Sequence, residues 1–260
     1  MLTTIATWNV NSLRVRLPQL RDWLQGAGND APDIIALQET KLVDEDFPTE
    51  AIAELGHQVA FSGQRTYNGV AILSRDPIET LSCDIPGFED PQRRVLAVKT
   101  RGLTVVDLYV PNGQSVDSDK YQYKLTWLSA LRTWLSALGP SNNPMIVLGD
   151  FNIAPDDRDV HDPAAWAGKV LVSDPERTAL TRLMETGLVD VFRSFEQAER
   201  SFSWWDYRAA GFRRNLGLRI DLILASTALA EHCLRSWIDK EPRRAERPSD
   251  HTPVLAQFDH

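Results

Sequence analysis

The sequence predicts a layered α/β or α+β protein. Three observations carry that reading. Short apolar runs of strand length recur along the whole chain. Amphipathic stretches at helical spacing interleave with them. Residues able to do chemistry stand repeatedly at one end of an apolar run. No internal repeat, low-complexity tract or Ser/Gly/Pro linker divides the 260 residues, so a single domain over 1–260 is expected.

In chain order, Ile5-Ala6-Thr7-Trp8 leads into Asn9 and Asn11. Residues 18–24 read as a helix with Leu17, Leu20 and Leu24 on one face. Asp33-Ile34-Ile35-Ala36-Leu37 leads into Gln38-Glu39-Thr40-Lys41, and Tyr67-Asn68-Gly69 is a turn feeding the strand 70–73. Val105-Val106-Asp107-Leu108 leads into Tyr109, Pro111 and Asn112. Residues 126–138 place Trp127, Leu128, Leu131, Leu135 and Leu138 together, and Gly139-Pro140 ends that helix. Met145-Ile146-Val147-Leu148 leads into Gly149-Asp150-Phe151-Asn152. Ser173-Asp174-Pro175-Glu176 is a capping box, starting a helix that carries Leu180, Leu183 and Met184 and stops at Gly187. Arg219-Ile220-Asp221 opens the run Leu222-Ile223-Leu224, and Ser249-Asp250-His251-Thr252-Pro253 opens Val254-Leu255-Ala256. Strand ends in a packed α/β scaffold are where ligands sit, because the sheet fixes position and the loops supply chemistry.

Composition narrows the class. A hydrophobic share of 43% and a charged share of 25% are those of an ordinary globular protein. Two cysteines, Cys83 and Cys233, exclude a disulfide scaffold and show no zinc spacing, so a reducing cytoplasm is expected. No apolar run approaches a membrane span, and the N-terminus lacks a signal-peptide pattern. A net charge of −8 argues against coating nucleic acid through bulk electrostatics, but not against a local basic groove. It also suits a site crowded with carboxylates around a divalent cation.

The polar strand ends suggest phosphoester hydrolysis. There is no Gly-x-Ser-x-Gly nucleophile, no Walker loop and no dinucleotide fingerprint. A hard oxygen set favours Mg²⁺, Mn²⁺ or Ca²⁺ over zinc. Glu39, paired at a strand end with Lys41, is the first candidate metal ligand, and Asp150 is the candidate general base. Asn152, two residues on and expected on the same face, would orient water or phosphate. His251 can donate to a non-bridging phosphate oxygen if a carboxylate fixes its tautomer, and Asp221 is the expected partner. Tyr109 could donate to the phosphate or hold the leaving group.

A second cluster runs from Ser203-Trp204-Trp205-Asp206-Tyr207-Arg208 through Phe212-Arg213-Arg214 to Leu218 and Arg219. Aromatic rings among arginines offer stacking groups beside phosphate clamps. Arg243, Arg244 and Arg247 form a further expected basic patch.

Together the motifs Thr7-Trp8-Asn9-Val10-Asn11, Leu37-Gln38-Glu39-Thr40-Lys41, Asn68-Gly69-Val70, Tyr109-Val110-Pro111-Asn112-Gly113, Gly149-Asp150-Phe151-Asn152, Gly217-Leu218-Arg219-Ile220-Asp221 and Ser249-Asp250-His251 resemble those of exonuclease III type apurinic/apyrimidinic endonucleases. Order and spacing match over nearly the whole chain. The resemblance implies a four-layer sandwich of DNase I-like type, with two mixed β-sheets face to face and helices outside. It implies a DNA repair nuclease, a Mg²⁺- or Mn²⁺-dependent phosphodiester hydrolase that cuts duplex DNA 5′ to abasic sites and leaves a 3′-hydroxyl. It also implies 3′→5′ exonuclease and 3′-phosphodiesterase or phosphatase activity on blocked 3′ ends. It groups Asn9, Glu39, Asp150, Asn152, Asp250 and His251 around the metal. Tyr109, Asp150, Asn152, Asp221 and His251 are the catalytic set it implies. Lys41, Asn112 and Arg213 fall with the substrate, and Trp204, Leu218 and Ile220 resemble an apolar pocket for a flipped, base-less sugar. A monomer is expected. Two other readings remain: a phosphomonoesterase or phospholipid or inositide phosphatase of the same superfamily, and a catalytically silent DNA-binding module.

Overall fold

A computed structural model describes residues 1–28, 31–141 and 143–260. The strands in chain order are β1 (Leu2–Asn9), β2 (Ile34–Gln38), β3 (Gln58–Ser62), β4 (Val70–Ser74), β5 (Glu79–Ser82), β6 (Val95–Thr100), β7 (Leu103–Tyr109), β8 (Met145–Asp150), β9 (Leu188–Asp190), β10 (Trp204–Trp205), β11 (Gly217–Leu218), β12 (Asp221–Ser226), β13 (Cys233–Ile238) and β14 (Val254–Asp259). The helices are α1 (Leu13–Gly26), α2 (Thr49–Glu54), α3 (Asp119–Leu138), α4 (Pro163–Trp166), α5 (Asp174–Met184) and α6 (Thr227–Ala230).

Two six-stranded sheets form, in the orders β13-β14-β1-β2-β4-β3 and β5-β6-β7-β8-β12-β9, and β10 and β11 make a separate ribbon. Both sheets are mixed: β1 runs parallel to β2 and β7 parallel to β8, while the other pairings are antiparallel.

Alternation along the strands makes the layers. Ile5, Ile34, Ala36 and Ile72 of the first sheet meet Val98, Val105, Ile146 and Ile223 of the second in one buried cluster. The other face of the first sheet, through Ala6, Trp8, Ile35 and Leu37, packs on Leu13, Leu20 and Leu24 of α1. The outer face of the second, through Val106, Leu108 and Val147, packs on Leu128, Leu131 and Leu135 of α3 and Leu180 and Leu183 of α5. Strands covered on both faces read as nearly continuous apolar runs rather than strict alternations. The four-layer sandwich expected from the resemblance is the fold observed.

Two helices, α1 and α3, run longer than their sequence signals. The stripe of α1 begins at Leu13, five residues before the expected start, and Pro18 lies inside the helix. Proline loses the bond to the carbonyl four residues back, here Arg14 in the first turn. The buried stripe Leu13, Leu20 and Leu24 overrides it. Helix α3 starts at Asp119, capped by the Ser118 side chain accepting from Tyr121 N, and ends at Gly139 in the left-handed conformation. The box at Ser173 caps α5 as expected.

Register delivers the polar strand ends to one edge of the sandwich. Tyr109 and Asp221 both pair with Asp150 across β7-β8-β12, and Asn9 pairs with Gln38 across β1-β2. Gly149 makes the close approach possible: at φ 139°, a Cβ there would stand 2.0 Å from the Leu108 carbonyl oxygen.

Candidate functional site

Six chain segments converge at that edge. Strand β1 brings Asn9, β7 brings Tyr109, β8 brings Asp150 and β12 brings Asp221. Glu39 follows β2 and His251 precedes β14. Glu39, Lys41 and Asn152 do not continue their strands, as two-residue spacing on one face would require. They turn into the left-handed region at φ 52°, 56° and 49°. Such backbone costs about 1–2 kcal/mol for a residue with a side chain, and it gathers at functional sites.

Asn9 ties the two carboxylates together, its Nδ2 donating to Glu39 Oε1 at 2.8 Å and Asp150 Oδ2 at 2.9 Å. Its Oδ1 accepts from the Asn11 backbone at 3.0 Å. Lys41 Nζ lies 3.0 Å from Glu39 Oε2 and donates to Asn11 Oδ1 at 2.5 Å. Asn152 bonds back to Asp150: its backbone N donates to Oδ1 at 2.9 Å and its Nδ2 to Oδ2 at 3.3 Å. Asn112 Nδ2 donates to Asn152 Oδ1 at 3.0 Å. His251 stands between two aspartates. Its Nδ1 donates to Asp221 at 2.9 and 3.0 Å, and its Nε2 faces Asp150 Oδ2 at 3.6 Å. Ser203 Oγ accepts from the Ile220 and Asp221 backbones, both at 3.1 Å, and fixes the start of β12.

Burial and neighbours set the charges. Burial pushes the Asp150 carboxyl up to about 7, with Asp221 adding to the rise and His251 opposing it. Burial disfavours a charged His251, but Asp221, Asp150 and Asp250 outweigh it and raise the imidazole to about 10. Burial, then Glu39 and Asp150, raise Tyr109 well above the usual phenol range, so it remains a hydrogen-bond donor at neutral pH. The Arg94 guanidinium stacks 4.6 Å from the Tyr109 ring centre and donates to its carbonyl.

Glu39, Asp150 and His251 each offer one ligand atom, and these atoms all lie within 4.8 Å of one another. The carboxylates of Glu39 and Asp150 fit a hard cation, and Asn9 and Asn152 stand beside them with their Nδ2 groups turned toward the carboxylate oxygens. Asp250, expected near the metal, has both oxygens engaged elsewhere: Oδ1 accepts from Asn11 Nδ2 at 2.9 Å and Oδ2 from Trp204 Nε1 at 3.0 Å. A groove of about 670 Å³ adjoins Glu39, Tyr109 and Asn112 and is lined further by Gln64, Arg94 and Lys120.

Around the second cluster the structure divides what the sequence grouped. Trp204, Leu218 and Ile220 share one apolar cluster with Trp166 and Val170 of the segment 156–172. Leu218 and Ile220 are 0% and 1% exposed, so they form a covered floor beneath Trp204. Arg213 and Arg214 are exposed. Arg219 is not part of a DNA-facing surface: it is fully buried, bonded to Asp159 at 2.7 Å and Asp190 at 2.7 Å. Trp205 is core. Arg243 leaves the expected basic patch, buried between the Tyr207 and Phe212 rings at 5.3 and 5.1 Å.

The sequence signals assign no individual role to Lys124, Arg94, Ser203 or Asp107. Lys124 had a signal, a cation on the apolar stripe of α3 in line with Leu128, Leu131 and Leu135. Asp107, inside β7, is fully buried and bonded by Gln38 Nε2 at 2.7 Å, and burial raises its carboxyl well above the ordinary range.

Known proteins resemble the chain over its length. It is 37% identical over 265 residues to the exodeoxyribonuclease III of Haemophilus influenzae, covering 97% of this chain and 98% of that protein. The structure of the Neisseria 3′ phosphatase NExo bound to a product DNA hairpin superposes with TM-score 0.92 at 42% identity, covering 99% and 100% of the two chains. An AP endonuclease from Archaeoglobus fulgidus gives TM-score 0.94 at 39% identity, again with 99% and 100% covered. The sequence model of the Endonuclease/Exonuclease/phosphatase family matches residues 6–251, and this chain belongs to that family.

Proposed function

We propose that this protein is a DNA repair nuclease that hydrolyses the phosphodiester 5′ to abasic sites in duplex DNA, leaving a 3′-hydroxyl, and that clears blocked 3′ ends by exonuclease and 3′-phosphodiesterase or phosphatase action. The observation that carries the reading is the Asp221–His251–Asp150 array standing beside Glu39. In this reading Asp150 is the acceptor for a water proton and His251 the neighbouring charged donor for phosphate oxygens. The relatives named above, an exodeoxyribonuclease, a 3′ phosphatase and an AP endonuclease, support the substrate class.

Each side chain then has a task. Asp150, with a carboxyl near neutrality, takes the proton from the attacking water. His251, held charged and oriented by Asp221, donates through Nε2 to a non-bridging oxygen as negative charge grows there. The Tyr109 phenol and the Asn112 and Asn152 amides hold the same phosphate. Glu39 leads the residues that would hold Mg²⁺ or Mn²⁺, with Asp150 and the amide oxygens of Asn9 and Asn152 alongside; Asn9 would present its oxygen by rotating the amide. The bound cation supplies charge neutralisation at the phosphate and the leaving oxygen. His251 is assigned to phosphate rather than to the cation, because an imidazole protonated at Nε2 offers no lone pair. Asp250 supports this group by fixing Asn11 and Trp204. Lys41 steadies Glu39 and adds positive charge on the strand path. Trp204 over Leu218 and Ile220 receives the sugar, and Arg213 clamps a backbone phosphate.

The reading includes a monomer working in the cytoplasm. Among the described residues no helix is long and apolar enough to cross a membrane. Light scattering of the purified protein tests the monomer. The function is tested with end-labelled duplexes carrying an abasic site, a blocked 3′ end or a nick, with and without chelator. Chelator-sensitive cutting at the abasic site and trimming of the blocked end are expected. Intact duplexes beside turnover of an inositol phosphate would replace this reading with a phosphatase, and an Asp150→Asn variant as fast as the native protein would end it.

A further inference from the structure

Asn112 and Asn152 both stand on loops outside the sheet, and their side chains bond each other at 3.0 Å. What holds the two loops together lies beneath them. Lys124 of α3 is fully buried, and its Nζ donates to Asn152 O at 2.7 Å, Asn112 O at 3.2 Å and Glu176 Oε1 at 2.5 Å. Those three partners use all three hydrogens of the ammonium group. Glu176 is fully buried too, and both its oxygens are engaged. Oε1 also accepts from Leu171 N at 3.0 Å, and Oε2 accepts from Ser173 N at 3.2 Å and Ser173 Oγ at 2.5 Å. The Ser173 hydroxyl meets Tyr121 OH at 2.5 Å, which closes the network back onto α3.

We propose that Lys124, locked by Glu176, is a positioning residue that sets the spacing of the Asn112 and Asn152 amides against the scissile phosphate. The proposal rests on the nuclease reading for its catalytic consequence. A buried ion pair adds little stability over an apolar pair of the same shape, so stability alone does not account for it. Its geometry does: one cation grips the carbonyl of each phosphate-facing asparagine. The stem adds a steric stop, since a Cβ at Gly113 would stand 3.3 Å from Lys124 Cδ, leaving the Asn112 loop packed directly on the lysine. A misplacement of about 1 Å in a catalytic group can cost ~10²-fold in rate.

The test separates positioning from folding. Lys124→Met alone leaves Glu176 buried and unpaired, and a large fall in Tm is expected. The double variant Lys124→Met with Glu176→Gln removes both charges, and its Tm should return most of the way to native. Its kcat on an abasic-site duplex should stay ~10²-fold low, with the Kd for that duplex within about twofold of native. A second readout needs no turnover: the side-chain amide NMR resonances of Asn112 and Asn152 in the metal-free protein should be sharp in the native chain and shifted or broadened in the double variant. Recovery of kcat in step with Tm, or unmoved amide resonances, would overturn the proposal. If the native protein cuts no duplex, the nuclease reading falls, and the amide resonances still decide whether Lys124 sets the pair.

Discussion

Asp221→Asn is the most discriminating change in the proposed site. The carboxylate and the imidazole are in direct contact, 2.9 Å from Oδ2 to Nδ1, with no solvent between them. Opposite unit charges about 4 Å apart attract by ~4 kcal/mol at an effective dielectric of 20. That is about three pKa units at ~1.4 kcal/mol each, most of the rise that carries His251 from 6.5 to about 10. The variant's imidazole should therefore titrate near ~7. Asparagine has a second effect: where its Oδ1 goes on accepting from Nδ1–H, the neutral imidazole has no proton on Nε2 to give the phosphate. Above the pH of that titration, loss of the charge and of the Nε2 proton together should lower kcat by ~10²–10³, with KM changed little. The pH profile should change as well. In the native protein His251 stays protonated up to about 10, so it puts no limb between pH 6 and 8. In the variant, activity should fall as pH rises through ~7, because the donor is then lost. Steady-state rates on an abasic-site duplex between pH 5.5 and 9, with the His251 Hε1 resonance titrated in the metal-free protein, test both parts. A kcat within threefold of native across that range, or a profile that does not move, would refute the reasoning.

Three further outcomes are expected. Both buried groups at the site have folded pKa values above their unfolded ones, so each adds stability at low pH. Asp150's share is lost as pH rises from 3.8 through about 7, and His251's as it rises from 6.5 through about 10. Metal-free Tm should carry that downward contribution with pH, and the rise in Tm on adding Mg²⁺ should be larger at pH 8 than at pH 5.5; an equal rise at both would contradict carboxylate binding. Exchanging the exposed Arg213 and Arg214 for alanine should leave turnover at saturating DNA unchanged. It should also flatten the slope of log affinity against log salt by ~1 for each phosphate the arginines neutralise, read by anisotropy across NaCl concentrations. Leu131→Ala, in the cluster between α3 and the second sheet, should cost about 2–5 kcal/mol in urea unfolding while kcat at 25 °C stays near native.

The sequence announced the chemistry better than the geometry that holds it, for a physical reason. A strand exposes its intent locally: an apolar run ending in Asp150 or Asn9 places a polar group at a sheet edge whatever the sheet order. Partnerships across the sandwich carry no such local mark. His251, before β14 of the first sheet, meets Asp221, in β12 of the second, because the two sheets close face to face. Asn11 meets Asp250 across 239 residues because β1 and β14 pair within the first sheet. Asp221 could be matched to His251 because tautomer control demands a carboxylate, and few were left. Arg219 could not be placed, since a cation between Leu218 and Ile220 looks the same whether it faces DNA or two buried aspartates. Arg243 fails likewise, its guanidinium taken by aromatic rings from a loop about 30 residues earlier, at Tyr207 and Phe212. Lys124 is the instructive case. Its place on an apolar helical stripe breaks the amphipathic rule, and a cation that breaks the rule must find partners in the core. The partners turn out to be two carbonyls of the proposed active-site loops, so the anomaly in the pattern pointed at the site from behind.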